Sequence, residues 1–348
     1  MAKRKKKHRG KKYIIVLLVL VVIAAGYGGF FYYQKWLAPN AVKSGKLYIP
    51  TGADYKQVLD SIRPFLKNEA SFKWLAEQKK YPGHIKPGRY TIAQNESNSS
   101  IINRLRIGEQ DEISIRIGNY SSIFELAGKL GALLETDSTG LVKAMTEVDF
   151  AKGYDTAALI FFYFPDTYNF HWNTSGPAFV KRMKQEYDKY WTPEKIQEAK
   201  GKNMTPLEVT TLASIVQLES AMVDEQPRVA GLYLNRLKIG MKLDADPTVI
   251  YVLKRAENFK RKIQRVYYKN LSIESPYNTY KYKGLPPSPI CMPNRSAIDA
   301  VLKPAEHNYL YFVADPQKPG YHVYASTLKE QEDNANKYRN WANENNVK

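Results

Sequence analysis

Between Tyr13 and Tyr33 the chain runs for 21 residues, YIIVLLVLVVIAAGYGGFFYY, without one charged side chain. As a helix rising 1.5 Å per residue, this stretch reaches about 30 Å, the thickness of a bilayer's hydrocarbon core. Ahead of it lie eight basic residues (Lys3, Arg4, Lys5, Lys6, Lys7, Arg9, Lys11, Lys12), and behind it the aromatics Phe30, Phe31, Tyr32, Tyr33 and Trp36. The positive-inside rule places residues 1–12 in the cytoplasm and residues 34–348 on the other side. A cleaved signal peptide would have an apolar region of about 7–15 residues ending in a small-residue site. This run is longer, and Ala24-Ala25-Gly26 lies inside it. The expected organisation therefore starts with a basic cytoplasmic tail (1–12), a single transmembrane helix (13–33) and a short linker (34–44), in the cytoplasmic (inner) membrane.

The remaining sequence excludes several classes. Cys291 is the sole cysteine, so there is no intramolecular disulfide scaffold, and no Cys/His cluster has metal-ligand spacing. No metal and no cofactor are expected. The formal charge is +18, but the first twelve residues supply eight of it and leave +10 over the rest. Topology accounts for the basic block, and the extracytoplasmic placement rules out a nucleic-acid partner. Neither a Gly-rich phosphate loop, a Gly-x-Ser-x-Gly elbow nor a Ser-x-x-Lys motif appears.

Past the linker, residues 45–110 read as a small mixed unit. Leu47-Tyr48-Ile49-Pro50 is a short strand, Thr51 to Asp54 a turn with helix-capping chemistry, and Val58, Leu59 and Ile62 fall at helical spacing. A second short helix carries Phe72, Trp74 and Leu75, a strand ends Lys86–Ile92, and a last helix spans Ser99–Ile107. Residues 111–348 form the larger unit. Ile113, Ile115 and Ile117 alternate as a half-buried strand does, and Tyr120–Leu130 reads as a helix. Phe161–Tyr168 is an aromatic strand or loop, and residues 176–200 are helical and solvated. Thr205 and Pro206 start a helix to Met222, and Gln226–Ile239 is another, closed by Gly240. Tyr309–Val313 and Tyr321–Tyr324 flank a hairpin turn, before a polar helix from Leu328. Helices and strands come in blocks, so the expected class is α+β.

One acid is out of place. Val209, Leu212, Ala213 and Val216 form an apolar helical stripe, and Glu219 continues it. A carboxyl there must be paired, with Arg228 or Arg236 on the next helix as partners, or it must hold a proton near neutral pH. A protonated carboxyl is what donation to a glycosidic oxygen requires. Asp244 and Asp246 lie close by in sequence, and a carboxylate pair suits ordinary glycoside hydrolysis. Asp246-Pro247-Thr248 also reads as a turn or helix cap. Asn235 sits on the second helix, able to bond an acetamido group or backbone.

Leu212-Ala213-Ser214-Ile215-Val216-Gln217-Leu218-Glu219 and Val229-Ala230-Gly231-Leu232-Tyr233-Leu234-Asn235-Arg236-Leu237 closely resemble the endolytic murein transglycosylases, the YceG-like family. So do Asp246-Pro247-Thr248-Val249-Ile250-Tyr251, Pro276-Tyr277-Asn278-Thr279-Tyr280, Gly284-Leu285-Pro286-Pro287 and Tyr309-Leu310-Tyr311-Phe312-Val313-Ala314. The resemblance implies a single-pass inner-membrane enzyme with a small LysM-like domain and a larger catalytic domain. Such an enzyme cleaves peptidoglycan glycan strands internally between MurNAc and GlcNAc, and peptidoglycan synthases (penicillin-binding proteins) are implied partners. The family's catalytic glutamate falls on Glu219, while Asn235, Asp246, Tyr277, Asn278 and Tyr280 match positions in or near the cleft. Gln217 stands where the family commonly has a second glutamate, Ile160-Phe161 where a Glu-Gly pair is usual, Asp244 in place of a glutamine, and Gln331 in place of a histidine. The alternative class is a non-catalytic, membrane-anchored peptidoglycan-binding scaffold for synthases. Such a scaffold has no use for a lone carboxyl on an apolar stripe.

Overall fold

The computed structural model describes residues 3–259, 263 and 266–345. Residues 1, 2 and 346–348, at the ends of the expected tail and catalytic domain, lie outside the described residues. Two compact units emerge: residues up to Ile113 with Asn169–Asn173, and Ser114–Tyr168 with Thr174 onward.

In the first unit, α1 (Lys3–Tyr32) passes into a turn of π-helix, Tyr33–Leu37. The stretch Lys11–Leu37 is the one helix among the described residues long and apolar enough to cross a membrane. Its side chains from Ile14 to Ile23 are exposed throughout. The expected linker is not a free tether. Asn40 and Ala41 are buried, Pro39 bridges to Ser97, and Ala41 bridges to Leu66. The Asn40 amide donates to Asn98 Oδ1 at 2.6 Å, and the Asn98 amide donates to the carbonyl of Lys35. The first bond links two side chains 58 residues apart, a pairing that local spacing does not announce.

Strand β1 (Gly45–Ile49) pairs antiparallel with β2 (Gly88–Ile92), Leu47 opposite Tyr90. Between them lie α2 (Tyr55–Ile62), started by an Asp54–Gln57 capping box, and α3 (Glu69–Gln78). Helix α4 (Asn98–Ile107) follows β2 and stops at Gly108, whose φ of +78° suits glycine. Leu47, Ile49, Val58, Ile62, Phe72, Leu75, Tyr90, Ile101 and Leu105 close one core. The element order is the expected one.

The second unit contains more helix than the sequence patterns indicate. Strand β3 (Glu112–Ile117) pairs with β4 (Asp166–His171). Helix α5 spans Ile123–Gly131, starting later than expected because Ser122 caps it by accepting from the Glu125 amide. An unforeseen α6 (Ser138–Thr146) follows, capped by Asp137. Residues 158–162 form a buried 3-10 turn, so Ile160 and Phe161 are core. The expected helix over 176–200 is two, α7 (Gly176–Tyr190) and α8 (Pro193–Lys200). Pro193 has no amide to continue the first, and Thr192 caps the second. One side of α7 is buried through Phe179, Val180 and Met183, so it is not simply solvated.

Helix α9 (Pro206–Glu219) begins with the Thr205–Glu208 capping box. Residues Val209 to Val216 are all buried, because α8, α10 (Gln226–Lys238), α11 (Asp246–Ala256) and α12 (Arg295–Leu302) pack around it. Thr210 and Thr211 survive burial by bonding the carbonyls of Pro206 and Leu207 one turn back. The apolar stripe is thus part of a helix buried on every side from Val209 to Val216. Strands β5 (Tyr311–Ala314) and β6 (His322–Ala325) form the hairpin, Phe312 opposite Tyr324, and α13 (Leu328–Glu344) closes the fold.

Candidate active site

Helix α9 ends at Glu219, three residues sooner than expected. Ser220 is extended (φ −131°, ψ 123°), and its Oγ accepts from the Met222 amide. That hydroxyl donates at 2.8 Å to the buried Glu225 carboxylate, which also receives the backbone N–H of His322 at 2.8 Å. Burial works against the Glu225 charge, yet the hydrogen bonds from Ser220 and His322 hold its pKa below the ordinary value. A buried ionised group therefore fixes the chain just beyond Glu219 to β6.

Glu219 is only partly covered, but its carboxyl sits in dense surroundings. Burial raises its pKa to about 7; the repulsive charge of Asp246 adds to this, while the Tyr233 hydrogen bond and the Arg236 charge oppose it. The C-terminal end of a helix disfavours a negative charge in the same sense. Tyr233 Oη donates to Glu219 Oε1 at 2.8 Å. Neither arginine takes up the carboxyl as an ion pair. Arg236 donates to the carbonyls of Leu310 and Leu243, and Arg228 lies over the Tyr324 ring, 5.3 Å from its centre. Glu219 is thus hydrogen-bonded by a phenol and not ion-paired, and burial shifts it toward the protonated form.

Asp246 and Tyr280 meet: Tyr280 Oη donates to Asp246 Oδ1 at 2.6 Å. Asp246 is the first residue of α11 rather than part of a bare turn. The pair opens onto a cavity of about 340 Å³ also lined by Tyr267, Tyr268 and Leu271. Burial and then the Asp246 bond raise the Tyr280 pKa, so it stays a donor.

The other expected cleft residues are committed elsewhere. Asn278 is fully buried; its amide donates to the carbonyls of Leu271 and Ile273, and its Oδ1 accepts from the Tyr280 amide. Asn235 spends its amide on the carbonyls of His307 and Tyr309. Gly231, one turn earlier, admits that segment, since a Cβ there would stand 2.5 Å from the Ala305 carbonyl. Tyr277 is buried, bonded to Ser288 Oγ at 2.5 Å and packed against Tyr251. These three side chains hold loops in place, with the amide donors of Asn235 and Asn278 taken up by backbone carbonyls.

At the sites of departure, Gln217 Oε1 accepts from the Asn294 amide at 3.2 Å. Asp244 adopts φ +47°, and burial raises its pKa. Gln331 donates to the Phe312 carbonyl. Tyr233 and Glu225 were not among the expected site residues. The signal for Tyr233 was a hydroxyl among the leucines of α10, which once buried needs a partner. No group of three or more His, Cys, Asp or Glu residues able to hold a metal occurs among the described residues.

Fold and site together define an α+β protein with one long apolar helix and, at the end of α9, a carboxyl whose pKa burial raises to about 7. Residues 47–337 match the model of the YceG-like family, and the chain belongs to that family. It is similar to the endolytic murein transglycosylase of Bacillus subtilis (strain 168), with 36% identity over 182 residues, 52% of this chain and 48% of the relative. It is also similar to the endolytic murein transglycosylase of Streptococcus pneumoniae serotype 2 (strain D39), with 26% identity over 332 residues, 86% of this chain and 59% of the relative. The matches thus span about half the length of these curated relatives. A YceG-like protein from Listeria monocytogenes, solved by crystallography, shares the fold with a TM-score of 0.56 at 23% identity, covering 84% of this chain and 98% of that one.

Proposed function

We propose that this chain is an endolytic lytic transglycosylase that cleaves the MurNAc–GlcNAc bond within peptidoglycan glycan strands and leaves a 1,6-anhydro-MurNAc end. The observation that carries the reading is Glu219, a partly covered carboxyl at the end of α9 that Tyr233 bonds at 2.8 Å and whose pKa burial raises to about 7. Glu219 protonates the glycosidic oxygen as the C1–O bond breaks. The C6 hydroxyl of the same MurNAc then attacks C1 and gives its proton to the ionised Glu219, which restores the acid without consuming water. Intramolecular attack has an effective molarity of ~10⁵ M or more, so the protein need supply no nucleophile. Asp246 is already bonded to Tyr280, and the two form the wall that receives the sugar. Asn278 supports this wall by accepting from the Tyr280 amide.

The apolar helix anchors the chain in the cytoplasmic membrane, with residues 1–12 inside and the folded units outside, where nascent strands and their synthases are. Residues 45–110 are the LysM-like module, and residues 111–348 the transglycosylase domain. A purely structural scaffold for synthases is disfavoured by the cost of keeping a carboxyl without an ion-pair partner in dense surroundings.

Two measurements test the chemistry. Digestion of purified glycan strands in heavy-oxygen water is expected to leave the new ends unlabelled and one water lighter than hydrolysed ends. Label in those ends would make the enzyme a hydrolase, with Asp244 or Asp246 as the base. Because the acid must start protonated, kcat is expected to fall on the alkaline side of its pH profile through about 7. A fall near ~4.3, the value of a free glutamate, would remove Glu219 from the acid role.

A further inference from the structure

Tyr233 is 1% exposed, and the one hydrogen bond of its hydroxyl in the structure goes to Glu219 Oε1. Its ring is held edge-on against Phe312 of β5, centroids 6.1 Å apart at 88°, with the Arg236 guanidinium 6.0 Å from the ring centre. Arg236 is fixed in turn by its bonds to the carbonyls of Leu310 and Leu243. The phenol is thus a rigid donor aimed at one oxygen of a carboxyl whose terminal torsion would otherwise rotate broadly. Resting on the transglycosylase reading, we infer that Tyr233 is a positioning residue that reserves Glu219 Oε1 as acceptor and leaves Oε2 as the oxygen that gives up and takes back the proton.

The reason is stereochemical. A protonated carboxyl has one oxygen carrying hydrogen and one accepting. With a fixed phenol donating to Oε1, the proton belongs on Oε2, away from Tyr233 and available to the glycosidic oxygen. After donation Glu219 is an anion in a poorly hydrated place, where the same O–H becomes a charge-assisted bond. Tyr233 therefore acts twice: it selects the reactive oxygen in the acid step, and it stabilises the carboxylate until the C6 hydroxyl returns a proton. Burial keeps the Tyr233 pKa well above its ordinary value, with the Glu219 charge adding to this, so it remains a donor throughout. The charged and titratable groups facing Glu219 are Tyr233 and Arg236 on α10, Asp246 on α11, and Tyr280 beside Asp246. Of these, Tyr233 alone bonds it.

The test is Tyr233→Phe in the full-length protein, a change that keeps the ring against Phe312 and removes only the hydroxyl. Expected are a kcat for glycan cleavage lower by about 10–100-fold, the range a hydrogen bond to a charged group commands, and a nearly unchanged KM. The alkaline limb of kcat is expected to move up by about one pH unit, because loss of a donor to the anion favours the protonated form. Carbon NMR titration of the Glu219 carboxyl, which needs no turnover, is expected to show the same upward move. An unshifted carboxyl with wild-type kcat would overturn the assignment, as would a variant that merely melts earlier with both pH readouts in place. If wild-type protein leaves glycan strands uncut, or if Glu219→Gln cleaves as wild type does, the transglycosylase reading fails on its own. The NMR titration then still decides whether Tyr233 governs the carboxyl.

Discussion

Glu219→Gln is expected to reduce glycan cleavage by about 10⁴-fold and, above neutral pH, to make the protein more stable. A positioned general acid contributes roughly 10²–10⁴, and the upper end applies because one carboxyl serves first as acid and then as base. The amide fits the same space and still accepts from Tyr233, but it has no proton to transfer. The stability gain follows from linkage. The pKa of Glu219 in the folded chain, about 7, lies above the ~4.3 of the unfolded chain. Between those values the folded protein holds a proton that the unfolded chain has released, so stability falls as pH rises through the window and stays lower beyond it. The Glu219→Gln amide carries no such penalty. Its melting temperature should therefore exceed that of wild type at pH 8 and converge with it near pH 4. A variant that melts lower at pH 8 would mean that the carboxylate is paired in the folded protein, and residual cleavage near the wild-type rate would remove it from the mechanism.

Asn278→Ala is expected to act mainly on stability. Its side chain makes three hydrogen bonds in a fully buried place, to the carbonyls of Leu271 and Ile273 and from the amide of Tyr280. Alanine leaves two carbonyls and an N–H without partners, at about 1–3 kcal/mol for each group that water cannot reach. A total loss of about 2–4 kcal/mol is expected once the loop relaxes, seen as a lower midpoint in denaturant with calorimetry as a check. Because Tyr280 hangs from the same loop and holds Asp246, kcat/KM should fall as well, with the pH profile unmoved. A variant as stable as wild type with only a weakened KM would instead assign Asn278 to the sugar's acetamido group.

These two residues mark how far the local pattern reaches. Glu219 was legible because an acid in register with Val209, Leu212 and Val216 contradicts its surroundings, and contradiction of this kind is visible within one helix. The Thr205–Pro206 start and the β5–β6 hairpin were legible for the same reason: capping and turn chemistry act over three or four residues. The resemblance put Asn235 and Asn278 in or near the cleft, and the sequence left open whether Asn235 bonds a sugar or a carbonyl, because an amide in a motif looks the same either way. Their partners lie 72 and 74, and 5 and 7, residues away respectively. Even the near ones depend on a loop path that no periodicity encodes. The helix over 176–200 was merged across Pro193, where the proline was a visible stop.

What the sequence determined by itself was each property set by a few neighbouring side chains. These were the apolar run that must be a long helix, the α+β order of elements, and the acid at the end of α9. The tertiary structure alone decided where each donor and charge finds its counterpart. It turned the expected linker into part of the first unit through Asn40 and Asn98, gave Glu219 a phenol instead of an arginine, and joined Tyr280 to Asp246. The physical reason is that helix and strand preferences are local, whereas a buried polar group is satisfied by whatever the fold brings to it. Glu219 is an acid of unusual pKa for that reason, because α10 and α11 close around the end of α9.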